Sequence, residues 1–213
     1  MQAATIDELT LNDDPSSWRE LGFEVPDGAT QLGRVSVRLG GAREEAGIAG
    51  WSLRGIAGGE LDGLPTSVSE RPLRAPAPAH PNGVLAIDHV VAFSPDLDRT
   101  VRALEHAGLE LRRVREEPTP AGAPRQAFFR LGAEILEVIQ VPEEALAGMG
   151  GRDAPARFWG LALTVQDIDA TAERLAPHAG EVRPAVQPGR RIVTLRRSAG
   201  LAVPVALMSE GQR

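Results

Sequence analysis

Residues 87–100, IDHVVAFSPDLDRT, align without a gap on residues 158–171, FWGLALTVQDIDAT. Each copy is an apolar run followed by Asp-apolar-Asp-x-Thr. A duplication of this kind commits the chain to building one supersecondary unit twice, which constrains the fold more than composition does. The local chemistry is that of a strand running into a helix, with Asp96 and Asp167 placed to cap the first helical turn. Behind them Leu97, Val101 and Leu104, and again Ile168, Ala172 and Leu175, recur at i, i+4 and i+7. The two helices are expected to stop at Gly108 and around Pro177.

After each helix the apolar pattern shortens to strand length. Strands are expected at Leu109 to Val114, Gln126 to Leu131 and Glu134 to Val141, then at Glu181 to Arg183, Arg191 to Leu195 and Leu201 to Met208. The reading is β-α-β-β-β, repeated. A worn third copy precedes them: Thr5-Ile-Asp-Glu-Leu-Thr matches Ala86-Ile-Asp-His-Val-Val, Gly22-Phe-Glu-Val matches Gly108-Leu-Glu-Leu, and Val37-Arg-Leu-Gly40 matches Phe129-Arg-Leu-Gly132. Its helix, around Pro15 to Leu21, is shorter. The expected division is a degenerate βαβββ-like module at 1–56, a Pro- and Gly-rich linker at 57–84, and paired modules at 85–142 and 157–210 within a domain spanning 85–210. The expected class is α+β, with helices outside a curled, mostly antiparallel sheet that forms a cleft.

Composition narrows the chemistry. The chain has 213 residues, 42% of them hydrophobic, enough for a core, and it contains no Cys, no Tyr and no Lys. Schiff-base lysines, P-loop lysines and thiolate nucleophiles are excluded. All 23 basic residues are therefore Arg, against 29 acidic ones, a net charge of -6 without a basic block, so no nucleic-acid partner is expected. No apolar window approaches the roughly 18 residues of a membrane span and no signal-peptide pattern opens the chain, so no membrane partner and a cytoplasmic location are expected.

The motifs IDHVVAFSPDLDRT, FFRLGAEILEVIQ, FWGLALTVQDIDAT and GLAVPVALMSE resemble the vicinal oxygen chelate superfamily of glyoxalases, bleomycin-resistance proteins and extradiol dioxygenases. The likeness is good over Leu85 to Glu210 and weak over Ala4 to Ile56. It implies paired modules around a cleft that holds a small molecule, often beside a divalent metal bound at the start of a module's first strand and near the middle of its last. His89 and Glu137 occupy those positions, and alternation puts Val91 and Phe93 on the face of His89. The resemblance thus implies Zn, Mn, Fe or Ni at His89 and Glu137, with Glu137 as catalytic base in glyoxalase-type lyase or isomerase chemistry. The ligand set is incomplete, because the second module has Gly160 and Ala206 at the matching positions. Glu8, at the His89 position of the worn copy, would add a donor if that copy folds back or pairs in a dimer.

The residues themselves leave structural alternatives open. Val91, Phe93 and Arg130 are expected to contact the ligand, but His89 also fits a hydrogen-bonded structural residue, and Glu137 an ion pair with Arg130. His106 and His178 read as surface groups at helix ends, and His80 as part of the Pro-rich stretch. Arg190 and Arg191, in a turn, present guanidinium groups suited to an anionic or oxygen-rich ligand, and Trp159 suits a cleft wall. Three readings remain: a metal-dependent enzyme, a non-catalytic, drug-sequestering binder without metal, and a cleft closed by side chains in which the repeat serves only dimer assembly. Unpaired sheet edges favour a homodimer.

Overall fold

Runs rich in Val, Ile and Phe form the strands, and Asp-capped periodic segments form the helices between them. The computed structural model describes residues 3–40, 47–118, 122 and 124–211. In chain order the elements begin with β1 (Thr5–Asn12), α1 (Pro15–Glu20), β2 (Ala29–Leu32), β3 (Val35–Leu39), β4 (Gly47–Arg54) and β5 (Thr66–Val68). The first repeat follows as β6 (Val84–Ser94), α2 (Leu97–His106), β7 (Glu110–Arg115), β8 (Gln126–Leu131) and β9 (Glu134–Gln140). A short helix, α3 (Leu146–Met149), precedes the second repeat: β10 (Arg157–Val165), α4 (Ile168–Arg174), β11 (Arg183–Pro184), β12 (Arg191–Thr194) and β13 (Val205–Ser209). The caps act as their residues require. Asp96 accepts from the Arg99 amide at 2.9 Å, and Asp167 from the Asp169 and Ala170 amides at 3.0 and 3.1 Å.

The fold is mixed α and β, with two open mixed sheets ordered β2-β3-β1-β4-β5 and β11-β12-β13-β10-β6-β9-β8-β7. One connection recurs: β3 returns parallel beside β1, β9 beside β6 and β13 beside β10. This topology corrects one detail of the repeat. Because β3 lies parallel to β1, its counterpart is β9, and the match of Val37-Arg-Leu-Gly40 to Phe129-Arg-Leu-Gly132 joins strands of different place. The true counterparts are the hairpin turns Leu32-Gly33 and Leu131-Gly132, whose glycines both take positive φ, 60° and 79°. The stretch expected as a linker carries β5, paired parallel to β4.

The chain divides into two compact units, the first made of residues 1–7, 50–71 and 89–159. In it α2 packs on β7, β8 and β9 through the buried Leu97, Thr100 and Leu104. Phe129, Leu136 and Val138 are wholly buried in the same unit, and each such side chain contributes about 1.5–3 kcal/mol by leaving water. Asp62 ties the loop after β4 to α2: it accepts from Arg99 Nε at 2.8 Å and from the Thr100 hydroxyl, which in turn lies 2.6 Å from Ser94 Oγ. Asp7 is 1% exposed and pairs with the buried guanidinium of Arg54, which also donates to the carbonyls of Ile6 and Arg71 at 3.0 and 2.7 Å.

The second unit comprises residues 8–49, 72–88 and 160–213. Here α4 packs on β12 and β13 with Ile168 and Thr171 buried. Trp18 of α1 packs on Phe23 at 4.7 Å between ring centroids, and Phe23 on His80 at 5.4 Å. His80 is a buried tie. Its Nδ1 accepts from the Glu24 amide at 3.1 Å, so its proton sits on Nε2, which lies 3.1 Å from the Gln31 carbonyl. Asn82 adds a second anchor, donating to the Leu21 carbonyl at 2.9 Å and accepting from the Val84 amide at 3.0 Å. The Pro-rich stretch is thus pinned where it enters β6.

Replacing Arg54 by Met would leave the Asp7 carboxylate buried without its closest cation. The expected loss is about 3 kcal/mol of unfolding free energy, read as a lower urea midpoint at unchanged m-value.

Candidate functional site

The site begins with strand register. Parallel pairing sets His89 beside Ile135 and Val91 beside Glu137, so alternation brings His89 and Glu137 to one face of the sheet. There the His89 Nε2 lies 3.3 Å from Glu137 Oε2, with side-chain exposures of 19% and 14%. Glu137 Oε1 accepts from the side-chain amide of Gln126 on β8, a residue 7% exposed. A carboxylate on an apolar strand thus has an imidazole and an amide as partners. Arg130, its expected alternative partner, is exposed on β8 and sits opposite Ile135 in register.

The same face continues apolar toward the ends of β6 and β9. Val91 is buried, and Phe93 stacks on Trp159 with ring centroids 5.2 Å apart. Beyond the pair a pocket of about 350 Å³ opens, lined by Phe93, Ile139, Val141, Ala145, Met149 and Arg157 among others. Val91, Phe93 and Trp159 therefore share the unit, and Phe93 and Trp159 touch.

The turn arginines are engaged elsewhere. Arg190 is 8% exposed and donates to Asp88, to the Ser209 carbonyl at 2.8 Å and to Gln187 at 3.0 Å. Arg191 forms a two-pronged pair with Asp169 at 2.7 and 2.8 Å. Arg190 thus ties its turn to β6 and to the end of β13 within the second unit, while Arg191 makes an exposed pair at the start of α4, partners the turn pattern alone did not reveal. Gln126 and Arg157 were missed altogether. Alternation within β8 puts Gln126 two residues from Phe128, the register partner of Glu137, which is the signal that could have found it. Arg157 carries no such signal, because its place at the pocket depends on the loop before β10.

Register also identifies the counterparts of the pair in the other runs. In the β1–β3 run Glu8 stands for His89 and Arg38 for Glu137, and the two form an ion pair, Arg38 Nε to Glu8 Oε1 at 3.1 Å. In the β10–β13 run the positions are Gly160 and Ala206. Gly160 is there for space, since a Cβ on it would meet the Pro204 carbonyl oxygen at 2.7 Å. The β4–β5 pair repeats the device: a Cβ on Gly50 would meet the Pro65 carbonyl oxygen at 2.9 Å, and the next residue of each strand donates to that carbonyl at 3.0 Å.

A family model described as "Glyoxalase-like domain" matches residues 87–203, more than half of the chain. The chain belongs to the glyoxalase-like domain family. This places the glyoxalase-like protein in the vicinal oxygen chelate superfamily. Among solved structures, nearly the whole of this chain is similar to a xylose isomerase-like TIM barrel/4-hydroxyphenylpyruvate dioxygenase fusion protein, at 12% identity and a TM-score of 0.60. That match covers 98% of this chain and 49% of the fusion protein, so the chain spans about half of that relative. Methylmalonyl-CoA epimerase from Mycobacterium tuberculosis matches at 20% identity and a TM-score of 0.48, covering 61% of this chain and 91% of its own. A Streptomyces coelicolor methylmalonyl-CoA epimerase in complex with 2-nitronate-propionyl-CoA matches at 22% and 0.48, covering 60% and 96%. A search of curated proteins finds no significant match.

Superfamily members commonly use divalent metals, and the donor set here can be tested against that use. His89 and Glu137 give two donors, and among the described residues no group of three or more His, Asp or Glu side chains comes together. Catalytic zinc typically takes three protein ligands. The Zn, Mn, Fe or Ni centre expected from the resemblance therefore lacks a fitting ligand set: Gly160 and Ala206 offer no donor, and Glu8 is engaged by Ser36 and Arg38.

A ligand cannot be restored at position 160 without strain. Gly160→Ala is expected to destabilise the protein by about 1–3 kcal/mol, measured by chemical denaturation, and Gly160→His by at least as much without creating a metal site.

Proposed function

We propose that this glyoxalase-like protein binds a small, oxygen-bearing organic molecule on the sheet face that carries His89 and Glu137, as a binding protein that sequesters its ligand without a tightly held transition metal. The observation that carries the reading is the 3.3 Å approach of His89 Nε2 to Glu137 Oε2 on a face that continues into the apolar Val91, Phe93 and Ile139. A few polar groups converging on an apolar hollow is the usual composition of a small-molecule site. A ligand hydroxyl would donate to Glu137, and a ligand carbonyl would accept from Gln126 or from the imidazole. Phe93 and Trp159 would flank the ligand body, and Val91 would floor it. Arg130, exposed on the same strand as Gln126, remains available to an anionic substituent.

The same contact supports a second reading, lyase or isomerase chemistry of the proton-transfer kind. A carboxylate within hydrogen-bond reach of an imidazole can take a proton from carbon beside a ligand carbonyl, and Glu137 is the base in that reading. The proton would leave the ligand carbon, reside on Glu137 and return to another position of the same molecule, with His89 holding the carboxylate in place.

The division into a worn module at 1–56, a connecting stretch at 57–84 and paired modules within 85–210 belongs to the same proposal, as does a homodimer in the cytoplasm. The dimer is supported by the terminal strands β2, β5, β7 and β11, which present sheet edges. Among the described residues no helix is long and apolar enough to cross a membrane.

The reading is tested with the metals themselves. Titration of chelator-treated protein with Zn²⁺, Mn²⁺ or Ni²⁺ is expected to give no binding tighter than about micromolar, with the melting temperature unchanged by chelator. Submicromolar binding that His89→Ala abolishes would restore the metal-dependent reading and overturn this one.

A further inference from the structure

The pocket beyond the His89–Glu137 pair has a chemistry of its own. Phe93, Ile139, Val141 and Met149 line it with carbon and sulfur, and Arg157 is the one charged side chain among the described lining residues. Its volume of about 350 Å³ is that of roughly a dozen waters, room for a ring or a short alkyl chain. Ile139 lies two residues along β9 from Glu137, about 7 Å, so one molecule can reach both places.

The guanidinium at the rim is held in position. Arg157 Nη2 donates to the Gly148 carbonyl at 3.2 Å and its Nε lies against Met149, while among the described residues nothing takes up the hydrogens of Nη1. The turn arginines Arg190 and Arg191 are engaged by Asp88 and Asp169, and Arg130 does not line this pocket, whereas Arg157 lines it and has no carboxylate partner among the described residues. In a chain of net charge -6, a positioned cation at the mouth of an apolar pocket selects for a negative ligand group.

We infer that the ligand class is an amphiphilic organic anion: a ring or short chain seated on Phe93, Ile139 and Met149, with a carboxylate or comparable anionic group at Arg157. The inference rests on the proposed use of this sheet face for small-molecule binding and adds the ligand's charge and shape. The oxygen-bearing substituent at the opposite end of the ligand is the part that would meet His89 and Glu137.

The test uses 2-naphthoate and its neutral counterpart 2-naphthamide as probes, with affinities from calorimetry on the full chain. Wild type is expected to bind the carboxylate at least tenfold more tightly than the amide. Arg157→Gln, at an exposed position, should bring the two within about threefold of each other while leaving the amide's affinity unchanged. Ala145→Phe, also exposed, should weaken both probes at least tenfold by filling the pocket. Equal affinity for the two probes in wild type, or a preference that survives Arg157→Gln, would overturn the inference. His89→Ala and Glu137→Gln separate it from the reading it rests on. A probe preference lost only in Arg157→Gln upholds the anion pocket, even if a ligand carrying a second oxygen, 6-hydroxy-2-naphthoate, shows no dependence on the pair. That last result would count against the role proposed for His89 and Glu137 alone.

Discussion

The parallel return of β9 beside β6 is the constraint on which the site depends. Two strands that meet edge to edge in this sense hold their side chains in fixed register, so a histidine on one and a glutamate on the other share a face at hydrogen-bond distance. A slip of one residue would send Glu137 to the opposite face and Leu136 into the site. The register is secured from both sides: Leu136 and Val138 are buried, and the hairpin turn at Gly132 fixes how β8 meets β9. In the same register the side-chain amide of Gln126 donates to Glu137.

The same connection recurs in the other runs, with different residues at the two sensitive positions. An ion pair fills them in one run, a glycine and an alanine in another. Where the glycine stands, the neighbouring carbonyl comes so close that no Cβ fits. The fold has therefore kept its strand pairing while the side chains able to do chemistry survive together in one run. At Gly160 this leaves no room for the donor that stands at position 89 in the other run. It also shifts attention from coordination to the apolar hollow and its rim.

How much of this was legible in the residues differs from element to element. The Asp-capped helices and most strand positions follow from periodicity and capping, both local. Position 89 beside 137 could also be anticipated, though from the family resemblance and not from the repeat, whose other copies carry different residues there. The arginines could not. Arg190 and Arg191 look like ligand-binding groups in a turn, yet each has an acidic partner remote in sequence, Asp88 and Asp169, and an ion pair between distant residues leaves no local pattern. His80, placed in a Pro-rich stretch, is buried because Phe23 and the backbone of Glu24 and Gln31 converge on it from elsewhere.

By itself the order of residues determined the repeating unit, its helix starts, its alternating strands and the exclusion of lysine and cysteine chemistry, because each of these depends on neighbours within a turn or two of chain. The fold decided which strand stands beside which, hence the correct counterpart of β3, the steric need for Gly160, the partners of the arginines and the apolar pocket beside Arg157. These depend on backbone approaches and side-chain pairings between segments far apart in the chain, and such distances are fixed only when the sheet closes its register.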